Sequence, residues 1–511
     1  MRRTLALAVL TASVTTALAV PALQASATTA SSCAKWAATT GDDGNPGTAA
    51  SPYRSLAALV ANLAPGQTGC LPSGQTYEAV QGNGIFTSSQ GTVDKPVTIT
   101  SGGTGRAQVV GWVEARANVH DVVVTDLDFL GSPLNTDGSV QYPKSTHINL
   151  LGDRITVKGN DITNPYGICV NAGAISAYQS NDPGEPSDDI VITGNRVHGC
   201  GMSPKLVWTD GDSGAHGIYL VNTRRAVVTE NVVYDNRYRG FQQWPTGSGT
   251  LVANNLFARN ATQVNVGSAL TDGYPWYSSD TTVRDNVMVA KTDYRTDKNQ
   301  ASVAFNFPQN SPTYGNTVVG NCISPDRQQL AGFAYTASGT VSATATFVDA
   351  AHDDFRMTAD SPCQGKGPAS IQPSGAPAPS PTATATPAPV RRVTTSTTSC
   401  SAGTLTSRAP SAATSTPSAD FLWFRAELWH WNGSAWVWVK TSSWHYSRVT
   451  GTSMTPWKRY SDGVQTSSVT FTGLVRGDAY HVVQGVEWDL DGKVVRTNQA
   501  VAGTTSLYCR T

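Results

Sequence analysis

The chain has 511 residues, more than one ordinary domain holds, so two or more are expected. Lys and Arg together number 36, as do Asp and Glu, and only 14% of residues are charged. A nucleic-acid partner calls for a basic excess, and this balance argues against one. Scarce Lys and Glu beside abundant Gly, Asn, Ser and Thr favour turns and strands over helices.

Residues 1–27 read as an export signal: Arg2 and Arg3 precede a mostly apolar run from Leu5 to Val20, and Ala25-Ser26-Ala27 suits a signal peptidase. The run is too short and too interrupted by Thr and Ser for a membrane span. Cys33 follows Ala30-Ser31-Ser32, which lacks the Leu-like residue of a lipidation box. A secreted, extracellular monomer without a membrane anchor is expected. Eight cysteines in such a chain imply disulfides. Position suggests Cys33 with Cys70, Cys169 with Cys200, Cys322 with Cys363, and Cys400 with Cys509. No two cysteines have the C-x-x-C spacing of a metal site.

From residue 124 onward one frame recurs: an apolar residue three before an Asn and another two after it. Val157-Asn160-Ile162, Ile192-Asn195-Val197, Val228-Asn231-Val233, Val252-Asn255-Phe257, Val283-Asn286-Met288 and Val318-Asn321-Ile323 all fit. Val124-Leu127-Phe129 is an earlier copy with Leu in place of Asn. The intervals between Asn residues, 24 at the shortest, are those of a solenoid. Between the copies lies a second kind of strand, as in "THINLLG", "HGIYLVN", "GFQQWPT" and "QVNVGSA". The unit is therefore strand, Asn turn, strand and a variable connection. A right-handed parallel β-helix satisfies this pattern, with equivalent Asn side chains stacked as a ladder about one strand spacing apart, roughly 4.8 Å.

Alternation assigns faces within the second kind of strand. Ile148, Ile168, Ile218, Phe241 and Val264 are expected to point inward. Asn149, Cys169, Tyr219, Gln242 and Asn265 are expected to form an outward stripe of amide and phenol groups. Insertions at 172–187, 201–215, 271–279 and 291–299 enter beside that stripe, where binding groups collect on a rigid scaffold.

A Pro/Ala/Thr-rich tract at 371–397 reads as an extended linker. It separates a β-helix domain, 28–370, from a domain at 398–511 that holds eight of the thirteen tryptophans. "LWHWNGSAWVWVK" is a hairpin about Asn432-Gly433, which sets Trp429 and Trp431 across from Trp436 and Trp438. This reads as a small C-terminal β-sandwich, an immunoglobulin-like or carbohydrate-binding module. The fold class is all-β.

"GDDGNPGTAASPYRSLAALVANLAPGQTGCLPSGQTYEA" resembles the N-terminal segment of secreted right-handed β-helix proteins, where a Ser-Leu-x-x-Leu helix caps the solenoid. "FVDAAHDDFRMTADSPCQGKG" is similar to their final coil. Many members are polysaccharide lyases of the pectate lyase, alginate lyase or chondroitinase-B-like kinds; others are polygalacturonases or epimerases. The resemblance implies a fold and a carbohydrate substrate, and leaves the reaction open.

β-Elimination from a uronate needs a cation on the carboxylate, a base for the adjacent C–H and an acid for the leaving group. His216, Tyr219, Arg237 and Arg239 supply these parts as the catalytic candidates. Asn149, Gln242, Trp244, Asn265 and Trp208 are the substrate-binding candidates. A polysaccharide lyase acting on an acidic polysaccharide is the leading expectation, with no cofactor or Ca²⁺ both left open. A glycoside hydrolase would instead need paired carboxyl groups. Asp210 with Asp212 is one candidate pair and Asp188 with Asp189 another. "NTDG" at 135–138 and "AHG" at 215–217 are similar to polygalacturonase signatures in order, not in spacing. A non-catalytic glycan-binding protein is the third reading. Arg224 and Arg225, at a bend, read as a solvated edge.

Overall fold

The computed structural model describes residues 33–373 apart from 80–90, 142–144, 176–183, 206–214, 273–275, 291–302, 309, 310, 312 and 325–334, together with strands and adjoining residues between 392 and 510. The expected export signal, most of the linker, and Trp208, Asp210 and Asp212 lie outside the described residues.

Three parallel sheets wrap one apolar interior. Among the described residues the first sheet has eleven strands, from Lys35–Trp36 to Thr336–Ser338. The second has ten, from Thr76–Ala79 to Val341–Ser342, and the third has nine. The third is built chiefly from Val113–Ala115, Thr146–Leu150, Ile168–Ala172, Ile218–Arg224, Arg239–Ser248, Thr262–Gly267 and Val303–Asn306. Each coil has three strands where the sequence suggests two. The residues on either side of each Asn already form separate short strands, as Val191–Thr193 and Arg196–His198 do about Asn195.

The Asn ladder joins the first two sheets. Asn160, Asn195, Asn231, Asn255 and Asn286 each donate their backbone N–H and Nδ2 to the Oδ1 of the Asn one coil on, at 2.9–3.1 Å. Each Nδ2 also reaches a carbonyl of the preceding coil, as Asn195 does to Val157 O at 2.9 Å. Buried backbone groups at the corner are thereby paired, which explains why an amide and not an apolar residue recurs there. The ladder ends at Leu127, whose N–H donates to Asn160 Oδ1.

A six-residue helix, Leu56–Ala61, closes the N-terminal end. Ser55 caps it by accepting from Ala58 N–H, and Leu56, Leu59 and Val60 are buried against the core. Disulfides join Cys33 to Cys70, Cys169 to Cys200, and Cys322 to Cys363. The side chains of Cys400 and Cys509 lie outside those described.

The segment resembling a final coil does something else. Phe347–Asp349 and Asp354–Met357 form an antiparallel pair that folds back over the outer face of the second sheet. Phe355, Met357 and Ile371 cover Val232, Leu256 and Val287 there. A buried Phe or Met contributes about 1.5–3 kcal/mol, enough to make this outward apolar strip a second core. Packing continues through Ile371 and Gln372, past the expected boundary at 370.

Arg224 and Arg225 do not form a solvated edge. At the corner where the third sheet leads into the first, Asp121, Arg154, Asp189 and Arg225 all adopt left-handed backbone with φ of 51–59°. They alternate in sign and pair across coils, Arg154 Nε to Asp121 Oδ1 at 2.8 Å and Arg225 Nε to Asp189 Oδ1 at 2.8 Å. Arg224 forks onto Asp188 with two bonds of 2.7 Å. Asp188 and Asp189 are thus committed to arginines and are not a free carboxyl pair. Charge alternation offsets the backbone strain that a non-glycine residue carries in this conformation.

Toward the C-terminus the sheets are small and mainly antiparallel. The expected hairpin is present, with Trp429 opposite Trp438 and Trp431 opposite Trp436.

Candidate functional site

Strand register defines one outward column on the third sheet: Glu114, Asn149, Asn171, Tyr219, Gln242, Asn265 and Ala304, one per coil. Asn171 occupies the place that alternation alone gave to Cys169. Pairing aligns Val170, not Ile168, with Ile148 and Ile218, so that coil enters the sheet two residues later than expected. Cys169 is instead buried in its disulfide with Cys200, and Ile168 is only partly buried.

His216 and Arg239 stand at the same level, each two residues before a paired inward residue, Ile218 and Phe241. The N–H of Gly217 donates to Arg239 O at 2.9 Å. A Cβ on Gly217 would come within 2.8 Å of Gly240 O, and one on Gly240 within 2.7 Å of Asn260 Nδ2. Only glycine fits between coils this close, which explains the "HG" and "RG" steps beside the two functional candidates. A second amide ladder fixes the approach: Asn236 donates its N–H and Nδ2 to Asn260 Oδ1 at 3.0 and 2.9 Å. Arg237, Tyr238 and Arg239 leave directly from that anchored corner. The first Asn frame does not include this ladder, although Asn236 and Asn260 each stand five residues after a frame Asn.

The side chains converge. His216 is 1% exposed, with its ring 4.9 Å from that of Tyr219 and 5.2 Å from that of Tyr238. Burial, and then the nearby charge of Arg239, hold its pKa well below the ordinary histidine value. A shift in that direction favours the neutral ring near pH 7, so His216 does not serve as the cation for a ligand. Its Nδ1 is buried and has no hydrogen-bond partner among the described residues. Arg239 lies over the Tyr238 ring at 4.4 Å, donates to Tyr238 Oη at 3.1 Å, and donates to Gln242 Oε1. No carboxylate pairs with it among the described residues, and burial lowers its pKa. Tyr238 carries no periodic signal in the sequence, because it stands at a strand entrance outside both repeating frames.

Arg237 is partly exposed, and its N–H donates to Cys200 O. The two acids nearest in sequence have other partners: Asp235 pairs with Arg259, and Glu230 accepts from Ala369 N–H at 2.7 Å. Trp244 Nε1 donates to Ser268 O at 3.1 Å, and the indole packs over Gly267. Gln242 and Asn265 are 4% and 1% exposed, so part of the expected open stripe is covered. Asn149, Tyr219 and Trp244 remain partly exposed.

Residues 146–348 match the family model for a right handed beta helix region. With its three parallel sheets, the solenoid is a right-handed parallel β-helix. No curated protein matches the chain. Among solved structures, a pectate lyase is 15% identical, with 61% of this chain and 78% of that one covered and a TM-score of 0.39. An alginate lyase from a Paenibacillus species is 14% identical, covering 56% and 97%, with a TM-score of 0.35. A lacto-N-biosidase from Eubacterium ramulus is 13% identical, covering 60% and 67%, with a TM-score of 0.33. At these identities no residue role transfers to this β-helix.

Elsewhere on the β-helix, a cavity of about 320 Å³ lies between the second sheet and the folded-back arm. Its arginines are paired, Arg196 with Asp161 and Arg356 with Asp354, so it offers an anion less than the third sheet does. Among the described residues no three His, Cys, Asp or Glu side chains group as a metal site, and no helix is long and apolar enough to cross a membrane.

Proposed function

We propose that this protein is an extracellular carbohydrate-active enzyme that binds a uronate-containing polysaccharide along the third sheet and cleaves it by β-elimination. One observation carries the reading. Arg239 is a partly buried cation whose side-chain partners are a phenol and an amide, with no acid among the described residues. A desolvated guanidinium without a counter-charge favours an anionic ligand, and its planar fork suits a carboxylate. The three disulfides fit an oxidising compartment.

In the proposed reaction Arg239 neutralises the uronate carboxylate and so acidifies the C–H beside it. Tyr219, one coil away and partly exposed, takes that proton as its phenolate. The C–H electron pair becomes the new C=C bond, the bond to the glycosidic oxygen breaks, and that oxygen leaves with the proton Tyr219 has just taken, which returns Tyr219 to the phenolate. Neutral His216 packs against Tyr219 and sets its position. Arg237 adds positive charge at the entrance, the partly exposed Asn149 and Trp244 hold neighbouring sugars, and buried Gln242 orients Arg239.

The test is to incubate the purified protein with a panel of acidic polysaccharides, following both ultraviolet absorbance of unsaturated product and new reducing ends. Elimination makes the two rise together. Reducing ends without absorbance would mean hydrolysis, with Asp210 and Asp212 as the next residues to test. Binding without either would mean a glycan-binding protein.

A further inference from the structure

The outward column acts as a ruler, because its steps of about 4.8 Å are close to the length of one sugar in an extended polysaccharide. Its chemistry changes on either side of Arg239. One coil on, the Oδ1 of Asn265 accepts from Asn306 Nδ2 at 2.9 Å, while its own Nδ2 is buried with no acceptor among the described residues. The hydroxyl of Ser268, 1% exposed, is also buried without a partner among them. The Trp244 indole lies against this strand, over Gly267 and bonded to Ser268 O. Two spare neutral donors beside an aromatic ring suit hydroxyl or amide oxygens on an uncharged sugar.

The opposite direction is unfavourable to a second carboxylate. Asn171 Nδ2 donates to Asn149 Oδ1 at 2.8 Å, and Asn149 Nδ2 donates to Glu114 Oε2 at 3.3 Å. The column therefore ends on a carboxylate, which Arg116 approaches only to 3.8 Å from an exposed position. A chain made of uronates alone would also set carboxylates at the two steps beside Arg239, Tyr219 and Asn265, where no column residue is a cation, whereas an alternating chain sets neutral sugars there. A carboxylate desolvated without a counter-charge disfavours a ligand.

We infer that the groove is built for a polysaccharide in which uronate alternates with a neutral sugar, the uronate on Arg239 and its neutral neighbour against Asn265, Ser268 and Trp244. This inference rests on the assignment of the carboxylate to Arg239. Because Asn265 and Ser268 are 1% exposed, this binding requires the partly exposed Trp244 side chain to move as it stacks on the incoming ring.

Titration calorimetry with two tetrasaccharides tests it, one alternating uronate with N-acetylhexosamine and one made of uronate only. The wild type should bind the alternating probe at least about tenfold more tightly, and Asn265→Ala should remove about that factor from this probe alone. Arg239→Gln should weaken both. Asn265→Lys, which adds a cation at the neighbouring step, should shift preference toward the uronate-only probe. Tighter wild-type binding of the uronate-only probe, or equal weakening of both by Asn265→Ala, overturns the inference while Arg239→Gln still reports the carboxylate site. Binding of neither probe, or no effect of Arg239→Gln, overturns the carboxylate assignment itself. Circular dichroism of each variant separates these outcomes from misfolding.

Discussion

Arg239 sits one coil beyond His216 at the same level of the third sheet, and its charge adds to burial in keeping His216 neutral. The same proximity leaves the guanidinium beside an uncharged ring, with no acid paired to it among the described residues. Replacing Arg239 by Gln should therefore lower kcat/KM on an acidic polysaccharide by at least about 100-fold, as expected when a buried charge-assisted contact is lost. Tyr219→Phe should lower kcat by about 10²–10⁴ with little change in KM, the pattern of a lost proton carrier. Steady-state kinetics of variants with unchanged thermal midpoints checks both.

A second buried imidazole makes stability depend on pH. His147 is fully buried, and burial pushes its pKa down to about 4. The unfolded chain binds that proton near the ordinary value of about 6.5, so below it the unfolded state holds more protons and stability falls as pH drops. Acidification from about 6.5 to 4 should cost about 3 kcal/mol from this group, with His216 adding loss in the same direction. Urea denaturation across that window should show the decline, and His147→Gln should flatten part of it.

The Asn ladder should be cooperative. Asn231→Ala removes the acceptor of Asn195 N–H and Nδ2 and the donor to Ile192 O, leaving buried groups unpaired. A loss of about 2–4 kcal/mol is expected. The double variant Asn195→Ala/Asn231→Ala should lose less than the sum, because the two share bonds. Denaturation midpoints of the three variants decide this.

The ion pairs beside the third sheet should matter more than surface ones. Asp188 has a side chain 4% exposed and is held by Arg224. Arg224→Ala leaves that carboxylate to Arg225 Nη2 at 3.2 Å and should cost about 1.5–3 kcal/mol, while Arg224→Ala/Arg225→Ala strands it and should cost about 3–5 kcal/mol. A loss below about 1 kcal/mol, as an exposed pair would give, would show the corner to be solvated after all.

Sequence alone determined the solenoid, because the signals that define it are local and repeated. The Asn frame, the alternation within "HGIYLVN" and the Ser-Leu-x-x-Leu cap each lie within a dozen residues. Equal coil lengths also put Tyr219, Gln242 and Asn265 in one column, since no insertion interrupts them. Tertiary structure decided what depends on register between coils. Whether Asn171 or Cys169 faces outward turned on where one strand enters the sheet, which parity within a strand cannot fix. Asp188 and Arg224 are 36 residues apart, as are Asp189 and Arg225, and only stacking makes them partners. The lack of an acid partner for Arg239 among the described residues is of the same kind. Its neighbours in sequence give no sign of which acids the folded coils bring near, and electrostatics is set by distance in space rather than along the chain.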